Sequence, residues 1–229
     1  MIFMLTMDQA RHLAGIAKAA SSDTGRPVLQ AILIEWGPSE FKEGGGFVDV
    51  RWTATNSYLL ASRVVAVPTE RCEVSKTSNY GSVLVNGKDI AAAVAAAVKA
   101  VGRSPIPTFL GFEVPDNNKD QGGIQLATYP GEDFAMMVPR NGGIVGATYP
   151  NWKQLAEDQT VEFNGQLPAF NPIYLKQVMD TQGGRPTEWT VPVRATSKGE
   201  GGELKPWGFK VLNKELDSEW FGLLMPVRV

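Results

Sequence analysis

The sequence has one cysteine, Cys72, and one histidine, His12. A single cysteine excludes a disulfide framework. A single histidine excludes a multi-histidine metal site, and no cysteine cluster stands in for one. No metal site and no cofactor is therefore expected. Long apolar runs are missing too: the Ala-rich IAAAVAAAV is the longest, and it is too short to span a bilayer. The opening residues MIFMLTMDQAR have no basic n-region and no cleavage site, so no signal peptide is expected. A cytoplasmic setting without membrane attachment is the default. Net charge is only −2 over 229 residues. That excludes a chain coated in basic residues but leaves room for a local basic face.

Catalytic sets are equally scarce. A nucleophilic pair of His12 and Cys72 has nothing beyond residue type in its favour. GSVLVNGKD resembles a P-loop only faintly. It has five residues between its glycines, and Asp89 stands where Ser or Thr would hold magnesium. A strand entering a capped helix explains it better. KGEGGE reads as a hairpin loop, and the carboxylates are scattered, so no acid/base pair stands out. An enzyme is not expected.

What the chain does have is a recurring order of elements. Thr6 and Gln9 form a capping box, with Asp8 in the first turn, ahead of the helix MDQARHLAGIAKAAS. Met7, Ala10, Leu13, Ala14 and Ala17 make its apolar stripe. RPVLQAILIEW reads as a strand opened by Pro27. FVDVRWTATNSYLLASRVVAV reads as two strands about a turn at Asn56-Ser57. The strand SVLV then leads to Asn86, which caps GKDIAAAVAAAVKAVG, closed by Gly102. Strands TFLGFEV, GIQLATY and EDFAMMVP follow. A further round begins at TVEF, with Asn171 as N-cap, Pro172 at the first helical position and the helix PIYLKQVMDTQ ending at Gly183-Gly184. EWTVPVRAT, LKPWGFKVL and EWFGLLMPVRV are its strands. Sequential strands after each helix predict antiparallel pairing and an α+β fold of repeated strand-helix-strand units.

The terminal FGLLMPVRV resembles the C-terminus of the bacterial β sliding clamp, the ring that tethers replicative DNA polymerase. Other segments match that family in order. FMLTMDQARHLAGIAKAAS with GRPVLQAILIE resembles the opening of the clamp's middle domain. TATNSYLLAS resembles that domain's Ala-Thr-Asp turn, GATYPNWKQL its closing segment, and FNPIYLKQVMD the last helix of the final domain. The resemblance implies a complete middle-type domain at 1–148 and a shortened final-type domain at 149–229. The family's first domain and the half-unit after the middle one have no counterpart.

What the resemblance implies for function is a non-enzymatic processivity factor for DNA replication, from a compact system such as a phage. Its partners would be DNA polymerase and clamp-loader-type proteins, bound through short linear motifs in a hydrophobic pocket. The pocket positions carried over are Thr55, Ser57, Tyr58 and Leu60, then Pro150, Gln154 and Leu155, then Leu223, Met225, Pro226, Val227 and Arg228. Asn56 and Leu59 stand where the family carries Asp and Arg, which makes one wall more apolar. LLMPV also reads as an ordinary core strand. Double-stranded DNA would be held non-specifically by basic residues on the helices: Arg11, Lys18, Lys88, Lys99, Lys176 and Arg185. These also read as solvated helix faces. A homo-oligomeric ring, trimer or tetramer, is one expectation. A module without a ring that competes for clamp-binding motifs is the alternative.

Overall fold

The computed structural model describes residues 2–40, 42, 45–73, 80–102, 108–114, 124–129, 135–138, 149–157, 170–182, 193–194, 207–213 and 218–225. The expected strand TVEF, the Gly183-Gly184 stop, Arg185, Pro226, Val227 and Arg228 lie outside them.

The capping signals form as read. Thr6 Oγ1 accepts from the Gln9 N–H at 3.1 Å, and Gln9 Oε1 accepts from the Thr6 N–H at 3.0 Å, opening α1 (Met7–Gly15). Asn86 Oδ1 accepts from the N–H groups of Lys88 and Asp89 to open α2 (Gly87–Val101). Gly102, at φ +59°, closes it in a conformation that suits glycine. Asn171 Oδ1 accepts from the Ile173 N–H to open α4 (Pro172–Asp180).

Three local features differ from the sequence reading. The residues before Thr6, given no strand there, form β1 (Ile2–Thr6), with Phe3 and Leu5 buried. The first helix tightens after Gly15 into a 3₁₀ turn, Ile16–Ala19, since a glycine followed by a β-branched residue is a weak point in an α-helix. Pro27 opens a 3₁₀ turn, Pro27–Gln30, and the strand β2 (Ala31–Pro38) starts only after it. Proline has no N–H for a sheet ladder and suits a first helical turn.

Two antiparallel sheets carry the fold. In the five-stranded sheet the order is β5 (Cys72–Glu73), β1, β7 (Phe109–Glu113), β8 (Ile124–Tyr129), β9 (Ala135–Val138). In the seven-stranded sheet it is β10 (Val193–Arg194), β11 (Trp207–Asn213), β12 (Ser218–Leu224), β4 (Leu59–Pro68), β3 (Phe47–Thr55), β2, β6 (Gly81–Asn86). A short helix, α3 (Trp152–Glu157), precedes α4. The architecture is α+β.

The sheets meet through aromatic rings. Phe3 stacks on Phe112 at 5.6 Å, Trp52 meets Phe112 edge-on at 5.6 Å, and Phe3 lies 6.4 Å from Trp36. Leu13 and Ile16 after the first cap, and Ile90, Ala93, Val94 and Ala97 on α2, pack into the same core. Each large side chain buried there contributes about 1.5–3 kcal/mol. The alanines of α2 let its backbone approach closely, while Ala92, Ala95 and Ala96 face outward.

The seven-stranded sheet runs from the first unit into the last. β12 pairs along β4 from Ser218 opposite Val65 to Leu224 opposite Leu59. α4 packs on this junction. Its Val178 is buried, and the Trp220 indole N–H donates to Thr181 Oγ1 at 3.0 Å.

Candidate functional site

The β3–β4 turn is built by its own polar side chains. Thr55 Oγ1 donates to the Leu59 carbonyl at 2.7 Å, and Asn56 Oδ1 accepts from the N–H groups of Tyr58 and Leu59, each at 3.0 Å. Ser57 takes φ +78°, the left-handed conformation of a tight turn. Its hydroxyl accepts from the Arg26 guanidinium at 3.2 Å. The Asn56 amide also donates to Gln177 Oε1 on α4 at 3.4 Å. An aspartate could keep the turn bonds but could not make this donation.

The turn is where the chain's distant parts meet. Leu223 lies opposite Leu60, and the Met225 N–H donates to the Tyr58 carbonyl at 2.9 Å. The Tyr58 ring stacks on Tyr174 of α4, centroids 4.9 Å apart and planes 9° apart. Tyr58 is 52% exposed and Met225 38%. A cleft of about 440 Å³ opens beside Tyr58, lined also by Ser21, Asp23, Arg26, Asn56, Tyr174 and Gln177. Tyr174 and Arg26 were not among the expected site residues. Neither carries a local sequence signal, because Tyr174 of α4 and Arg26 reach this turn only through the fold.

The other face of the seven-stranded sheet carries Leu60 and Leu223 of the expected site. Leu60 and Leu223 are each 3% exposed and lie under the Trp152 indole, itself 7% exposed, with Leu33 and Phe221 beside them. The indole N–H donates to Glu35 Oε2 at 3.0 Å. The guanidinium of Arg51 sits 5.1 Å from the ring centroid. Lys153 pairs with Glu35 at 3.3 Å. Upstream, the buried Tyr149 hydroxyl donates to the Thr53 carbonyl at 3.1 Å. Pro150 and Gln154 flank Trp152, Gln154 exposed and Pro150 half-buried. Thr55 is buried. Leu155 belongs to α3, and its side chain lies outside the described residues.

The basic candidates are spread along three helical segments. Arg11 pairs with Asp8 at 2.6 Å, and Lys176 pairs with Asp180 on its own helix. Lys18 donates to the Asp180 carbonyl at 3.1 Å. Lys88 and Lys99 stand exposed at the two ends of α2.

His12 is half-buried, because the end of α1 packs on β4. Its Nδ1 lies 3.2 Å from both the Gln182 carbonyl and the Arg63 guanidinium. Arg63 is buried; it donates to the Gln182 carbonyl and to Ser218 Oγ at 3.4 Å. Burial lowers its pKa to about 10, so it is charged at neutral pH. Among the described residues no carboxylate pairs with it, and no group of three or more His, Cys, Asp or Glu is placed to hold a metal ion. Among them also, no helix is long and apolar enough to cross a membrane.

The sequence matches no protein-family model and no curated protein. Solved structures do resemble the fold. The DNA polymerase sliding clamp of Bacillus subtilis matches over all of this chain and 64% of its own, at TM-score 0.61 and 14% identity. The DNA polymerase III β chain of Streptococcus pneumoniae matches over all of this chain and 65% of its own, at 0.58 and 14%. A. fulgidus PCNA, solved with the C-terminal region of FEN-1 bound, matches over all of this chain and 98% of its own, at 0.55 and 11%. The chain has the sliding-clamp fold. It spans about two thirds of the length of the bacterial clamps and nearly the whole of the PCNA chain.

Proposed function

We propose that the protein is a sliding-clamp-like processivity factor of DNA replication, non-enzymatic, working in a compact cytoplasmic system such as that of a phage. In this reading 1–148 and 149–229 are its two domains. It holds a DNA polymerase and clamp-loader-type proteins through short segments docked at the β4–β12 junction. The observation that carries the reading is that junction within a clamp fold: the Met225 N–H bonds to the Tyr58 carbonyl, both side chains stay exposed, and a cleft opens beside Tyr58. An exposed tyrosine and an exposed, adaptable methionine at one junction accept aliphatic and aromatic anchors. The PCNA of similar length takes a partner's C-terminal region, which supports the same use here. Calorimetry with a polymerase C-terminal peptide tests it. Joint replacement of Tyr58 and Met225 by alanine should weaken binding by about 2 kcal/mol or more, as for central anchors. Unchanged binding would refute the site.

If copies of the chain close a ring as a trimer or tetramer, DNA is held topologically and the basic residues need only glide over phosphates. One observation favours the second reading, a ringless module that competes for clamp-binding motifs. Arg11 and Lys176 already have acidic partners on their own helices, which leaves a thin basic lining. Native mass and retention on circular but not linear DNA separate the two.

A further inference from the structure

The apolar seat on the sheet face away from α1, α2 and α4 already has an occupant. Leu60 of β4 and Leu223 of β12 form its floor, with Leu33 and Phe221 at its sides, and Trp152 fills it. The floor is rigid, because each strand is hydrogen-bonded on both sides within the sheet. The occupant is lightly held. Trp152 belongs to a six-residue helix, far shorter than one that is stable alone. Its neighbours Asn151, Lys153 and Gln154 are exposed. Its cluster is separate from the main core. The indole N–H bonds to Glu35, a part-exposed carboxylate that water can serve equally well.

There is also room beside it. A cleft of about 390 Å³ is lined by Glu35 and Arg51, the side chains that bond to and cover the indole, with Tyr80 and Lys153 among others. Arg51 covers the indole face and bonds to Ser62 Oγ, and among the described residues no carboxylate pairs with it. Departure of the ring uncovers this cation next to an empty apolar seat.

We infer that Trp152 is a displaceable internal occupant of the partner-binding surface, and that a partner segment binds by exchanging its own bulky apolar anchor for the indole. A carboxylate beside that anchor meets Arg51. The inference rests on the partner-binding reading above and deepens it. While the indole is seated, only the fraction of molecules with an open seat is competent, so apparent affinity is reduced by that fraction.

The test uses the full chain and a fluorescein-labelled peptide carrying leucine, phenylalanine and an adjacent aspartate, followed by polarisation. Trp152→Ala should bind it about tenfold more tightly than the unaltered protein, the open fraction having been raised, and should bind free indole, which the unaltered protein should not. Trp152→Phe keeps most of the filling but not the bond to Glu35. It should lie between the two, and it serves if the alanine variant does not fold. Equal or weaker peptide binding by a variant that takes up indole overturns the exchange and leaves the partner-binding reading standing. No peptide binding by any of the three proteins removes that reading, and the exchange with it.

Discussion

Leu223 of β12 sits directly across from Leu60 of β4, and one indole, that of Trp152, covers both. Truncating either leucine to alanine should cost about 2–4 kcal/mol in urea unfolding, as for other buried leucines. The double variant should cost less than the sum, because the first truncation already loosens the shared indole; neighbours of this kind couple by about 0.5 kcal/mol or more. Strict additivity would mean that the two leucines do not share a covering residue.

Gly222 lies one residue before Leu223 and allows α4 to approach. A methyl group there would stand 2.7 Å from the Trp220 ring and 2.9 Å from Val178 Cγ2. Neither neighbour can move freely: Trp220 is buried and bonded to Thr181, and Val178 is fully buried. Gly222→Ala should therefore destabilise the protein by about 1–3 kcal/mol, the usual cost of overpacking. Hydrogen exchange should quicken in α4 before it quickens in α2. Unaltered exchange in α4 would show that the contact relaxes without cost.

These two cases mark what the sequence made legible. Signals that act within a few residues were readable: the Thr6–Gln9 box, the caps at Asn86 and Asn171, the polar turn at Asn56-Ser57. Each is satisfied locally, so no tertiary context is needed to see it. The pairing of β12 with β4 could not come from spacing and rested on the likeness of FGLLMPVRV to a known terminus. Short elements escaped. β1 is five residues long, β5 two and α3 six, too brief for periodicity to register. Contacts that depend on the fold escaped as well. Nothing in the sequence places Trp152 over Leu60, stacks Tyr174 on Tyr58, or buries the Arg63 guanidinium beside His12. Leu60 and Leu223 of the expected apolar wall therefore turned out to be covered, and a tyrosine pair lines the cleft that is open.

Cys72 should be a slow thiol. Burial raises its pKa to about 11, and the nearby positive charge of Arg71 only partly opposes this. At pH 8 the thiolate fraction is then roughly a hundredfold below that of an ordinary cysteine. Alkylation by iodoacetamide should be correspondingly slow, should climb as pH approaches 11, and should become fast in urea. Rapid alkylation at pH 8 without denaturant would place Cys72 in a more open setting than the half-buried β5.

Tyr149 makes stability depend on alkaline pH. Its pKa is raised well above the ordinary tyrosine value, chiefly by burial, with the Glu35 charge adding to the effect and a backbone bond at Thr55 opposing it. The folded state thus holds the phenol proton more tightly than the unfolded chain does. Its contribution is fully present below about pH 10, the unfolded tyrosine value, and declines as pH rises beyond it. Thermal unfolding between pH 8 and 11 should show a falling midpoint above pH 10. Tyr149→Phe removes the ionisable proton together with the bond to the Thr53 carbonyl. The variant should be less stable at pH 8 by about 1 kcal/mol, the net worth of such a bond, and its midpoint should fall less steeply above pH 10. Parallel curves for the two proteins would show that the phenol ionises without leaving its place on β3, and that other groups set the alkaline limit.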